Sequence, residues 1–149
     1  MKFGIIDPKA CTVDVIDFKD TLAAYTLAGL DPNQTDHGVL MSLPNGALCF
    51  VVYEFGFYVP ADRQHYFAFG PRLVAGNAVA YQVDAFGYTV SMAPGIAARI
   101  IKPTWFKSAA DVEAAIAAGT VSRPEVSING EVIWAWPNPA PPEFAERMK

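Results

Sequence analysis

An almost wholly apolar and aromatic stretch covers residues 47–59, and the only charged side chain in it is Glu54. The stretch is rich in β-branched and aromatic residues, which suit a pleated and buried surface. It is shorter than the roughly 20 apolar residues that span a membrane. A carboxylate followed two residues later by Gly56 is typical of a turn. The pattern predicts two strands that double back at Glu54 through the core of a sheet.

Residues 84–88 (DAFGY) repeat the order of residues 54–57 (EFGF): an acid, an aromatic residue, a glycine and a second aromatic residue. Each group follows a valine-rich strand, so two hairpins of similar design account for the likeness. We expect Glu54 and Asp84 each to begin a tight turn and to cap backbone amides. If the two hairpins abut, the alternative is a pair of carboxylates.

Two segments have the spacing and the ends of helices, residues 18–28 and 108–118. Asp17 and Ser108 can cap them, because their side-chain oxygens accept hydrogen bonds from the free amides at a helix start. Gly29 is a suitable end for the first helix. Both helices are short, and their apolar stripes are narrow enough to pack on a sheet from one side.

The remaining regular segments have strand character and are joined mostly by short turns. The predicted strands cover residues 2–6, 12–16, 39–43, 66–69 (a short edge strand), 73–84 with an interruption at 76–77, 95–101, 126–128 and 131–136. Residues 31–38 and 60–65 read as polar loops, and Asn129-Gly130 is a strong signal for a two-residue hairpin turn. Short turns favour antiparallel pairing. The predicted fold class is α+β, a mostly antiparallel sheet with two short helices.

The composition limits the classes of function. Hydrophobic residues make up 52% of the 149 positions and charged residues 17%, which is below the roughly 25% charged residues of an average soluble domain. A domain so poor in charge is expected to cover part of its surface in a homo-oligomer or with a protein partner. The net charge of −4 opposes binding to nucleic acid, which needs cations along the phosphate backbone.

The length predicts one domain over residues 1–149, ending in a proline-rich and extended tail over residues 137–149. Two cysteines, Cys11 and Cys49, are too few for a disulfide framework, and a reduced, buried thiol is expected for Cys49. The apolar stretch within residues 1–8 is far too short for a signal-peptide core, and no segment is long enough to span a membrane. Cytoplasmic residence without membrane contact is therefore the expectation.

The best catalytic-looking triplet is Asp36-His37-Gly38, because a histidine titrates near neutral pH and an adjacent carboxylate could orient it. A small enzyme or ligand-binding protein could use His37 with Asp36, Glu54 or Asp84. The simpler interpretation is an ordinary polar loop, and it leads to no catalytic assignment. His65, in the next polar loop, is a weaker candidate of the same kind.

The sequence predicts neither a metal nor a cofactor. The soft metal ligands are Cys11, His37, Cys49 and His65, and none has the close paired spacing of a zinc site. No glycine-rich phosphate-binding motif is present.

Trp134 and Trp136 are two residues apart, so on a strand they project from one face, and the proline-rich tail follows directly. The chain's own tail can cover this face, because aromatic faces hold extended proline segments. The alternative is a partner-binding surface of Trp134, Trp136 and Trp105, since aromatic residues are enriched at binding hot spots.

The first ninety residues resemble a group of small uncharacterised proteins encoded by bacteriophages, prophages and bacteria. The likeness rests on residues 5–8 (IIDP), the strand that follows them, a short helix ending at Gly29, the acid–aromatic–glycine group at 53–57, and residues 73–77 (LVAGN). The resemblance implies a mobile-element setting, in which small proteins often act by binding a host or phage protein. We therefore expect an accessory protein that acts by protein–protein binding, with inhibition of a host defence as one role. A homo-oligomeric structural component is the other alternative to an enzyme.

Overall fold

The computed structural model describes residues 1–93, 95–96 and 101–148 of the chain. Within these residues the fold is α+β and mostly antiparallel sheet, as predicted. The strands are β1 Lys2–Asp7, β2 Thr12–Asp17, β3 Thr35–Leu43, β4 Gly46–Tyr53, β5 Tyr66–Phe69, β6 Arg72–Ala75, β7 Ala78–Asp84, β8 Thr89–Val90, β9 Thr104–Phe106, β10 Glu125–Ile128 and β11 Glu131–Ala135. The α-helices are α1 Thr21–Ala28, α2 Ala109–Ala117 and α3 Pro142–Ala145, and the 3₁₀ turns are Pro32–Gln34 and Gly56–Tyr58.

The large sheet has the strand order β2-β1-β7-β4-β3, and β8 extends it beside β7. Every pairing in this sheet is antiparallel. Strand β4 pairs on both sides, and both of its faces are covered, since Leu48 lies in the core toward the small sheet and Val51 in the core toward α1. This explains its continuous apolar sequence, whereas β3 forms an edge. Helix α1 covers one face, where it packs with a buried cluster of the large sheet that includes Phe3, Ile5, Val51 and Val79.

The small sheet has the order β6-β5-β9 and packs on the other face of the large sheet. The side chains of its strands alternate between two cores, because successive residues of a strand point to opposite faces. Phe67 and Val74 join the core between the sheets. Tyr66 and Leu73 face the opposite way, toward α2 and the β10–β11 hairpin. The molecule is therefore layered as helix, large sheet, small sheet, and helix with hairpin.

Residues 76–77 mark the place where the chain changes sheets. The sequence predicts one interrupted strand over residues 73–84, and the structure has β6 in the small sheet before the interruption and β7 in the large sheet after it. Gly76 has a φ of 80°, a conformation that favours glycine. Asn77 donates from Nδ2 to the Ala28 carbonyl oxygen at 3.1 Å, which ties this crossing to the end of α1.

The predicted pair of strands within residues 47–59 is wrong in its second half. The first half is β4, but the chain then turns and forms the 3₁₀ turn Gly56–Tyr58. Gly56 packs so closely that a Cβ there would lie 2.8 Å from the Ala75 carbonyl oxygen. The rings of Phe55 and Tyr58 stack at 6.1 Å instead of alternating between faces as they would in a strand. The apolar character of this half reflects burial against β6 and the tail.

The structure also differs from the predictions at the start of α1, in the position of β5 within its sheet, and at residues 95–101. Helix α1 begins after Asp20, whose side chain accepts from the Ala23 amide, and not after Asp17. Strand β5 is the centre of the small sheet and not an edge strand, because β9 pairs with it from a distant part of the chain. Of the predicted strand over residues 95–101, residues 97–100 lie outside the described part, and Gly95 and Ile96 are helical.

Candidate functional site

Asp36 and His37 lie on edge strand β3 and not in the polar loop that the sequence predicts. Consecutive strand residues point to opposite faces. Asp36 borders the cleft between the two sheets, whereas the His37 ring lies toward the α1 side, with Nδ1 3.3 Å from the Tyr81 hydroxyl. The Asp36 carboxylate accepts a hydrogen bond from the backbone N–H of His37 at 2.9 Å. The structure therefore contradicts the hypothesis that Asp36 orients the His37 ring. The Asp36 carboxylate accepts from the His37 backbone N–H, whereas the His37 imidazole contacts the Tyr81 hydroxyl.

Glu54 and Asp84 lie at opposite ends of two neighbouring strands. In the antiparallel β4–β7 pair, Asp84 is opposite Gly46, whereas Glu54 follows the far end of β4. The eight residue steps from Gly46 to Glu54 correspond to about 26 Å at 3.3 Å per step along a strand. The alternative in which these two acids form a carboxylate pair is therefore wrong.

The two acids also differ in what they bind. Asp84 caps its turn as predicted, because its Oδ1 accepts from the amides of Phe86 at 2.9 Å and Tyr88 at 3.0 Å. Glu54 begins a turn too, but its Oε1 lies 3.4 Å from Nη2 of Arg147 in the C-terminal tail. A local pattern was sufficient to predict the first interaction, whereas the second joins residues far apart in the sequence.

Asp36 and Glu54 do share one cleft, which lies between the β3–β4 pair and β6 and has a volume of about 280 Å³. Both acids border it because Asp36 lies opposite the strand residue two positions before Glu54. Phe50 and Phe57 contribute aromatic walls. Among the described residues, no group of three metal-ligating side chains converges there or elsewhere.

Arg72 borders the same cleft and joins the edges of the two sheets. Its Nη1 donates to the Val39 carbonyl oxygen at 2.9 Å, and its guanidinium lies 5.4 Å from the centroid of the Phe50 ring. Gly38 makes room for this stack, since a Cβ there would lie 2.6 Å from Phe50 ring atoms. Arg72 thus covers a backbone carbonyl of an edge strand that could otherwise pair with another strand.

His65 lies at a second polar cleft, of about 410 Å³, together with two acids. Asp7 accepts from the amide of Lys9 at 3.0 Å, and Asp31 accepts from the amide of Asn33 at 2.9 Å. Both carboxylates therefore stabilise turns at the rim of this cleft.

Cys49 is a core side chain, 7% exposed, as the sequence predicts. Burial raises the pKa of its thiol. Because the thiolate is the nucleophilic form, this environment disfavours nucleophilic chemistry at neutral pH. Cys11 is exposed, and both cysteines are free thiols.

The tryptophans do not form the predicted partner-binding surface. Trp134 is 6% and Trp136 is 1% exposed, and their rings pack against Tyr58 at 4.7 Å and Tyr66 at 5.3 Å. Trp105 is half-buried on β9, where it packs with the core between the sheets. The Trp134 indole N–H donates to carbonyl oxygens of the tail, so the chain covers its own tryptophans.

Within the described part of the chain, the most exposed large apolar side chains lie on the β7–β8 turn, which the sequence pattern does not mark as a site. Phe86 is 86% and Tyr88 is 72% exposed. Backbone hydrogen bonds also close the turn beneath them, since the Asp84 amide donates to the Tyr88 carbonyl at 2.9 Å and the Gly87 amide donates to the Asp84 carbonyl at 3.1 Å. The acid–aromatic–glycine–aromatic pattern signalled the turn but not the exposure of its rings.

A pocket of about 270 Å³, lined mostly by apolar side chains, lies at Leu48 in the first half of β4. Leu48 lies at the pocket and is opposite Gln82, two residues before Asp84. The pocket is lined by Leu40, Met41, Leu48, Phe69, Gly70, Ile101 and Lys102.

Comparison of the chain with protein-family models, with curated proteins and with solved structures gives no significant match. Among residues 1–93, 95–96 and 101–148, no helix has the length and apolar character needed to cross a membrane.

Proposed function

We propose that this chain is a binding protein that acts by protein–protein contact, and that its first partner is a second copy of itself. The observation that carries the proposal is the exposure of Phe86 and Tyr88 on a turn held by the Asp84 carboxylate. Exposed aromatic side chains on a rigid support are typical of binding hot spots, because little conformational entropy is lost when they are buried.

The pocket at Leu48 supports a second copy as the partner. A cavity of about 150 Å³ already holds benzene, so the pocket of about 270 Å³ beside Leu48 has room for an aromatic ring. Because Leu48 of the pocket is opposite Gln82, two residues before the turn begins, we propose that a two-fold pair inserts each turn into the pocket of the other copy. The low share of charged residues, 17%, also supports a covered face.

The test is sedimentation equilibrium of the full chain from micromolar to millimolar concentration. We expect a reversible dimer, and we expect Phe86→Ser and Tyr88→Ser each to weaken it at least about tenfold, as loss of a hot-spot residue does. The matched control is Leu27→Ser, which removes a side chain that is 58% exposed on α1. A wild-type chain that remains monomeric at millimolar concentration, or a control that weakens the dimer equally, would contradict the proposal.

The resemblance of the first ninety residues to phage and prophage proteins supports a mobile-element setting for this activity. In that setting the dimer would act in the cytoplasm, as an accessory factor or as a structural component.

A further inference from the structure

The C-terminal tail returns to the body of the molecule through an aromatic contact. Phe144, on helix α3, stacks on Tyr58 with ring centroids 5.7 Å apart and planes 24° apart. It also lies 6.3 Å from the Phe55 ring. Phe55 is 4% exposed with the tail in place, and its ring also contacts Tyr53 and Tyr58 of the body.

Arg147 adds a polar contact from the same tail. Its Nη2 lies 3.4 Å from the Glu54 carboxylate, its guanidinium lies 5.1 Å from the Phe55 ring centroid, and its carbonyl oxygen accepts from Nε2 of Gln34 at 3.1 Å. Residues three apart on a helical turn lie on one face. Phe144 and Arg147 are therefore the two anchors of a single contact.

The body supplies a complementary patch of Gln34, Glu54, Phe55 and Tyr58, called here the tail-docking patch. It combines two aromatic rings, a carboxylate and an amide donor. A groove of about 240 Å³ continues from Glu54 and Tyr58 toward Trp134. Such a patch fits an aromatic side chain followed three residues later by a guanidinium.

The tail lies on the outside of the body, where the carbonyl oxygens of Asn138 and Pro139 also accept from the Trp134 indole. None of residues 137–148 belongs to the buried core, and the Arg147 side chain is 59% exposed. Helix α3 has four residues, which is too short to be stable without its contact. These features distinguish the tail from β11, which contributes the buried Trp134.

We propose that the tail-docking patch is a binding site for a segment of a partner protein, and that the chain's own tail is its intramolecular occupant. The partner segment has the chemistry of the tail: prolines, then an aromatic residue, then an arginine three positions later. Because the tethered tail competes at an effective concentration of millimolar order, a partner must displace it. The proposal does not depend on dimer formation through the β7–β8 turn.

The probe is a fluorescein-labelled peptide with the sequence of residues 138–148, and the measurement is fluorescence anisotropy with the full chain. The double variant Phe144→Ala with Arg147→Ala releases the tail. We expect the peptide to bind this variant at least about tenfold more tightly than the wild-type chain, whose own tail competes. A peptide with Phe144→Ala should bind at least about tenfold more weakly, as loss of an aromatic hot-spot residue does.

A substitution within the tail-docking patch tests the polar contact between Glu54 and the peptide's arginine separately from nonspecific effects of removing a negative charge. Glu54→Gln in the released chain should weaken the peptide by about two- to fivefold, the range of a partly exposed ion pair. Glu131→Gln, an exposed acid on β11, is the matched control and should leave the affinity unchanged.

Three results would overturn the proposal. The folded, released variant could fail to bind the peptide at millimolar concentration. The wild-type and released chains could bind it equally, which would place the peptide elsewhere. The released variant could unfold, which would show that the tail is part of the core and not a removable occupant.

Discussion

The buried hydrogen bond between Trp136 and Tyr66 offers a stability test whose magnitude follows from its geometry. Trp136 Nε1 donates to the Tyr66 hydroxyl at 3.0 Å, and both side chains are 1% exposed. Tyr66→Phe keeps the ring, and with it the perpendicular packing of the rings at 5.3 Å. It removes only the acceptor, so the indole N–H is left in an apolar environment. An unsatisfied buried donor costs about 1–3 kcal/mol, so we expect the free energy of unfolding to fall by about 2 kcal/mol.

Urea unfolding followed by tryptophan fluorescence measures this change, with Tyr88→Phe as the matched control. Tyr88 is 72% exposed, so its loss of a hydroxyl should change the free energy by less than about 0.5 kcal/mol. Because the interaction needs both partners, Tyr66→Phe should cost much less when Trp136→Phe is already present. An equal cost in both backgrounds, or a cost no larger than that of the control, would refute the argument that the indole loses its acceptor.

Two further predictions concern close packing and pH. Gly38→Ala should lower the free energy of unfolding by about 1–3 kcal/mol, as overpacking does, because the new Cβ would lie 2.6 Å from the Phe50 ring. Thermal unfolding checks this beside the control Gly95→Ala, where no atom of the described residues would lie within 4 Å of the new Cβ. Burial raises the pKa of Tyr66 and of four other tyrosines. The unfolded chain therefore loses these protons first, so their stabilising effect, complete at neutral pH, should decline as the pH rises above about 10. Urea unfolding at increasing pH tests this, and an undiminished free energy at about pH 11 would contradict it.

Elements with a strong local signal were predicted correctly because their determinants lie within a few residues. Ser108 caps α2 through the Asp111 amide at 3.3 Å, and the helix covers Ala109–Ala117. Asn129 and Gly130 have φ values of 53° and 81°, and they join β10 to β11 as predicted. Capping and turn conformation depend on the identity of nearby side chains, which the sequence contains directly.

The candidate site was predicted less well because its members come from different elements. Asp36 and His37 separate because the segment that carries them pairs with β4 as an edge strand. Glu54 meets Arg147, 93 residues later in the chain. A sequence suggests which residues have suitable chemistry, but the convergence of their side chains depends on strand pairing and on the return of the tail.

The two acid–aromatic–glycine–aromatic groups separate what the local sequence determines from what the tertiary structure determines. The sequence by itself determined that the chain turns after each valine-rich strand, because an acid and a glycine at that spacing favour a turn in any context. Whether the aromatic rings are buried or exposed depends on the segments that pack against them in the folded chain. Phe55 is 4% exposed because the C-terminal tail folds over it, whereas Phe86 is 86% exposed at the open end of the large sheet. Burial depends on contacts between distant segments, and these exist only in the folded chain.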